Sequence, residues 1–99
     1  MIDGAIPDVF ELAQNYPNPF NPETIIRYSI IRNTEVKLTV FNMLGQEVAR
    51  LVNKNQVRGK YVVTWNGQYD AGLRVASGVY VYKLVAGDFI ETKKMLLLK

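Results

Sequence analysis

The residues with the most chemical potential lie between Asn66 and Gly72. Asn66, Gln68 and Asp70 put side-chain oxygens at alternate positions, as ligands of a hard cation do. Asp70 alone is charged, and no glutamate follows at the spacing of an EF-hand. Gly67 and Gly72 make two turns joined by an exposed tip the stronger reading. Five aromatic residues, Tyr61, Trp65, Tyr69, Tyr80 and Tyr82, suggest a flat platform for a sugar or polymer. Against it, Tyr61 and Trp65 share a strand face with Val63, and Tyr80 and Tyr82 alternate with Val79 and Val81, which favours core packing. The chain has no histidine and no cysteine, so the commonest bases, nucleophiles and transition-metal ligands are missing. Its two serines, Ser29 and Ser77, sit in no nucleophile elbow. The carboxylates are scattered, and there is no phosphate-binding loop or dinucleotide fingerprint. The expectation is a non-catalytic chain without cofactor or metal.

Ninety-nine residues make one domain, and 48% hydrophobic with 21% charged residues supports an ordinary core. Charge is uneven. Residues 1–49 carry six acids and three bases, net −3, and residues 50–99 carry nine bases and three acids, net +6, which sum to +3. A basic half raises nucleic-acid binding, but the bases from Arg50 to Lys83 are spread singly, and no nucleic-acid partner is expected. No apolar run is long enough for a transmembrane segment. Met1 to Pro7 lacks the charged and apolar regions of a signal peptide, and Met1-Ile2-Asp3-Gly4 reads as the edge of a piece cut from something larger.

Short strands must position whatever function exists. After a lead-in or linker over residues 1–9, Phe10 to Gln14 suits a short first strand. Thr24 to Ile30 alternates, with Ile26, Tyr28 and Ile30 inward and Arg27 and Ser29 outward. In Glu35 to Asn42, Val36, Leu38 and Val40 share one face. Gln46 to Val52 breaks strict alternation, because Val48 and Leu51 lie three apart; a β-bulge reconciles them, and a short helix is the competing reading. Lys54 to Gly59 reads as a loop, Lys60 to Asn66 and Val79 to Ala86 as strands, and Phe89 to Leu98 as a final run. About seven strands and no helix predict an all-β fold, an antiparallel β-sandwich of immunoglobulin-like topology spanning residues 10–99.

The two ends of that unit are unusual. Tyr16-Pro17-Asn18-Pro19-Phe20-Asn21-Pro22 fixes three φ angles and removes three backbone donors. It is either a proline-rich linker or a stiff strap that presses Tyr16 and Phe20 onto the sandwich. At the other end, Lys93-Lys94-Met95-Leu96-Leu97-Leu98-Lys99 joins positive charge to a continuous apolar run. A terminal strand of this kind completes the core, or lies at an edge where it recruits a partner strand.

These residues resemble a known family. Leu12 to Pro22 followed by Thr24-Ile25-Ile26-Arg27-Tyr28, then Leu44-Gly45-Gln46-Glu47-Val48, Gly59, Ser77-Gly78-Val79-Tyr80 and Lys93-Lys94-Met95, is similar to the type IX secretion system C-terminal sorting domain (type A). Trp65-Asn66-Gly67 to Gly72 resembles the related immunoglobulin-like domain of flagellar hook-capping proteins, with Asn66 and Tyr69 as departures from its more acidic loop. The resemblance implies a sandwich at the end of a larger exported cargo protein. It would be read by the secretion translocon and processing proteins at the outer membrane, and often cleaved off. The implied location is the periplasm in transit, then the cell surface or the medium. The candidate recognition residues are Tyr16 to Pro22 and Lys93 to Lys99. The alternative is a non-catalytic structural, adhesive or carbohydrate-binding accessory module.

Overall fold

The computed structural model describes residues 7–98. Seven strands, β1 (Glu11–Leu12), β2 (Thr24–Ile30), β3 (Thr34–Phe41), β4 (Glu47–Gln56), β5 (Gly59–Trp65), β6 (Gly78–Ala86) and β7 (Phe89–Leu97), form two antiparallel sheets. Sheet A runs β1-β2-β5 and sheet B runs β4-β3-β6-β7, giving the immunoglobulin-like sandwich that the alternation predicts. There is no helix among the described residues.

The core is made by one face of each sheet. Val36, Leu38 and Val40 of β3, Tyr80, Tyr82, Leu84 and Ala86 of β6, and Ile26, Tyr28 and Ile30 of β2 are all buried. Trp65 lies at the centre of the aromatic packing, with ring centroids 5.7 Å from Phe20 and 5.5 Å from Tyr80. Its Nε1–H donates to Gln68 O at 3.0 Å, so the indole is buried with its polar atom satisfied.

Local chemistry sets the turns. Asn42 Oδ1 accepts from the amides of Leu44 (2.9 Å) and Gln46 (3.0 Å), closing the β3–β4 hairpin. The two-residue loop Gly87–Asp88 joins β6 to β7, and Gly87 has φ +61°, as tight hairpins require. The irregular spacing in β4 is a bulge and not a helix. Leu38 pairs with Val52 while Thr39 pairs with Arg50, so Leu51 has no partner, and a second shift follows between Val40 and Phe41. Lys54 to Gly59 is not a loop: β4 continues to Gln56, and Val57–Arg58 alone link it to β5. Polarity misled there because this end of β4 is exposed on both faces.

Candidate recognition site: the proline strap and the terminal strand

Asn15 anchors the strap from inside. Its amide donates to Tyr82 Oη at 2.7 Å, and Tyr82 Oη donates to Ala13 O at 2.7 Å. The Asn15 Nδ2 group donates to Thr24 Oγ1 (2.9 Å) and Pro17 O (3.1 Å), and Thr24 Oγ1 donates to Pro17 O (2.8 Å). Asn15 and Thr24 are both buried, and this network satisfies their polar side chains together with the Pro17 carbonyl, in a segment where the prolines supply no N–H for a strand ladder. Burial pushes the Tyr82 hydroxyl up to about 12, opposed by its hydrogen bond from Asn15. Burial likewise pushes Tyr28 up to about 12, and its hydroxyl donates to Gln56 Oε1 at 2.6 Å.

The strap's far end is bonded to β7. The Phe20 amide donates to Leu96 O at 2.9 Å, and the Leu98 amide donates to Phe20 O at 2.9 Å, a parallel bridge. Leu96 N donates to Asn18 Oδ1 (3.0 Å), and Gln14 Nε2 donates to Lys94 O (2.7 Å). The structure thus makes a strap and not a linker, with one correction. Phe20 is 2% exposed, but Tyr16 is 71% exposed. The Tyr16 backbone exchanges hydrogen bonds with Ile25 at the sheet edge, and buried Asn15, the next residue, holds the interior position. Pro17, Asn18, Pro19 and Asn21 are exposed and Pro22 is half-buried. The loop after β5 also reaches this junction. Gly67 has φ +73°, and a Cβ there would lie 3.1 Å from Pro22 O and 3.6 Å from a Leu97 methyl.

The terminal strand does not offer a free edge here. The outward backbone groups of Lys94, Leu96 and Leu98 are engaged by Gln14, Asn18 and Phe20, so strand addition at this end of β7 is blocked. Alternation also separates the two lysines. Lys93 pairs across from Tyr82 and Met95 from Tyr80, so the Lys93 side chain shares the inner face with buried Met95 and Leu97. At the sandwich margin it forms an ion pair with Glu91 at 3.3 Å. Lys94, Leu96 and Leu98 face outward, beside Val79, Val81 and Phe41 of the neighbouring strands. Lys99 lies outside the described residues.

Sequence reasoning missed Asn15 and Thr24 on the inside, the exposed Gln14 at the edge of β7, and Phe41, Val79 and Val81 on the outer face. The face members had a signal, since each lies at alternate positions to core residues; Asn15 had none.

Elsewhere, the oxygen-rich loop has a structural job. Both Asp70 oxygens accept from the Arg50 amide at 3.2 Å, and Asp70 N donates to Val48 O at 3.3 Å, clipping the loop to the edge of β4. Arg50 in turn pairs with Glu47 at 3.0 Å on the surface. The aromatic platform is absent, because Trp65, Tyr80 and Tyr82 are buried and Tyr61 is half-buried against Tyr28, at 5.4 Å between ring centroids. Ser29 Oγ donates to Val9 O at 3.0 Å, a tie to the lead-in.

The sandwich body and its clipped loop define a class. The FlgD Ig-like domain family matches residues 31–88, and the chain belongs to that family. Among solved structures, it is similar to dimeric latent PorU from Porphyromonas gingivalis, with a TM-score of 0.73 and 20% identity, over 98% of this chain and 10% of that one. It is also similar to PorZ of the same organism, described as an essential surface component of the type IX secretion system, with a TM-score of 0.58 and 18% identity, over 93% of this chain and 12% of that one. The chain therefore spans about a tenth of the length of these two structures. No curated protein matches it in sequence.

Proposed function

We propose that this chain is a non-catalytic sorting domain of a larger exported protein, read by a type IX translocon at the outer membrane and followed by surface attachment or release. The observation that carries the reading is the contact between its two motif-bearing ends. Phe20 and Asn18 of the proline strap bond directly to Leu96 and Leu98 of the terminal strand. A machine that reads one end then meets the other in the same place, on a rigid folded body. The likeness to segments of PorU and PorZ supports this reading as shared fold.

Within residues 10–99, the readable surface is the exposed strap from Tyr16 to Pro19 with Asn21, and the outward residues Lys94, Leu96 and Leu98. Met95 and Leu97 complete the core, and Lys93 is held in its ion pair. The second reading, an immunoglobulin-like spacer, is favoured by the family match, which runs over residues 31–88, from β3 to β6, and leaves out the strap and the terminal strand.

A reporter carrying this chain at its C-terminus tests the proposal in a host with a type IX translocon. The reporter is expected at the cell surface or in the medium, and retained in the periplasm when the translocon is deleted. Equal retention in both strains would favour the spacer.

A further inference from the structure

The sandwich protects its strand edges unequally. An unprotected edge is a template for another strand, and proteins shorten, bulge or cover such edges. Strand β1 has two residues. Two register shifts interrupt β4, and Asp70 clips its upper part. The strap covers the C-terminal part of β7. Strand β5 has seven residues, pairs with β2 without a shift, and contains no proline.

Hydrogen-bond parity shows which β5 groups point away from the sheet. On β2, the backbone groups of Ile25 and Arg27 bond to Tyr16 and Ala13, on the β1 side. Alternation turns Ile26 and Tyr28 toward β5, where they pair with Val63 and Tyr61. Lys60, Val62 and Thr64 therefore present their N–H and C=O groups outward. None of these groups has a hydrogen-bond partner among the described residues. Their side chains are exposed, and Val62 is 61% exposed as an apolar residue on a sheet face.

We infer that β5 is a self-association edge whose partner is β5 of a second copy of this chain, paired antiparallel about a twofold axis at Val62. Twofold pairing places Val62 opposite Val62 and Lys60 opposite Thr64, so no like charges meet. The same register sets Tyr61 opposite Val63 on the inner side, an aromatic–β-branched pair of the kind that stabilises sheets. Roughly six backbone hydrogen bonds join the strands, two at the axis and two at each flanking pair. Sheet A then continues as β1-β2-β5-β5-β2-β1 across the pair. The area covered is that of one strand edge, well below the ~1,200 Å² of a stable interface, so the dimer is weak and concentration-dependent.

Sedimentation equilibrium across a wide concentration range tests this with the full chain. The unchanged chain shifts from monomer toward dimer as concentration rises. Val62→Lys places like charges at the axis and weakens association by about tenfold or more, with the fold intact because Val62 is exposed. The chain has no cysteine, so Val62→Cys supplies a positional readout. Under mild oxidation it forms a disulfide dimer much faster than Asn53→Cys on the exposed part of β4. A chain that stays monomeric at millimolar concentration overturns the inference. So does Val62→Lys associating as strongly as the unchanged chain, or equal cross-linking at the two cysteine positions.

Discussion

Replacing Phe20 with alanine separates a structural strap from a tether. The ring is 2% exposed, packs 5.7 Å from Trp65, and is carried by a segment whose backbone bonds to Leu96 and Leu98. Loss of burial together with the cavity left behind costs ~3–5 kcal/mol for a phenylalanine of this kind. The backbone bonds to β7 survive truncation of the side chain, which places the expectation near the lower figure, ~3 kcal/mol. For a domain of about this size, 1 kcal/mol moves the thermal midpoint by ~4–8 °C, so Tm falls by roughly 12–24 °C. Tyr16→Ala is the internal control: its side chain is mostly exposed, and the change is expected within ~0.5 kcal/mol. Thermal unfolding followed by circular dichroism reads both, and urea unfolding checks that the slope is unchanged. A Phe20→Ala midpoint within ~4 °C of the unchanged chain would refute the strap as part of the core.

Three further outcomes follow from the same contacts. Tyr28 and Tyr82 are neutral in both folded and unfolded states below pH ~10, their ordinary value. Their folded values are pushed up to about 12, so the unfolded chain ionises first as pH rises. Stability is full below pH ~10 and is lost between there and pH ~12, measured as a falling urea midpoint beside phenolate absorbance. Tyr82→Phe leaves the Asn15 amide without its partner and is expected to cost ~1–3 kcal/mol, read from the same urea curves. Gly67→Ala forces a side chain into a left-handed conformation against Pro22 O, and its Tm falls by an amount equivalent to ~1–3 kcal/mol.

The sandwich was legible wherever one strand face is buried. Val36, Leu38 and Val40 alternate with Glu35, Lys37 and Thr39, and the structure buries that apolar set. The bulge in β4 was legible too, since Val48 and Leu51 cannot share a face in a regular strand. Lys54 to Gln56 was not, because an edge exposed on both faces carries the same polar residues as a loop. The bonds from Phe20 to Leu96 and Leu98 join residues far apart in the chain, and no local pattern announces such pairing. Lys93 was within reach of the sequence. Period-two alternation places it with Met95 and Leu97, opposite in facing to Lys94, whereas adjacency alone suggested one exposed basic pair.

The division of the terminal strand into two faces gives the most direct test of the proposed recognition. Lys94 and Leu98 are exposed on the outer face, whereas Lys93 is paired with Glu91 at the sandwich margin. The export assay compares the unchanged chain with K93Q and with the double variant K94Q/L98Q, each checked for an unaltered thermal midpoint. Export is predicted to fall sharply for K94Q/L98Q and to hold for K93Q. Full export of K94Q/L98Q, or loss with K93Q alone at unchanged stability, would contradict recognition through the outer face of β7.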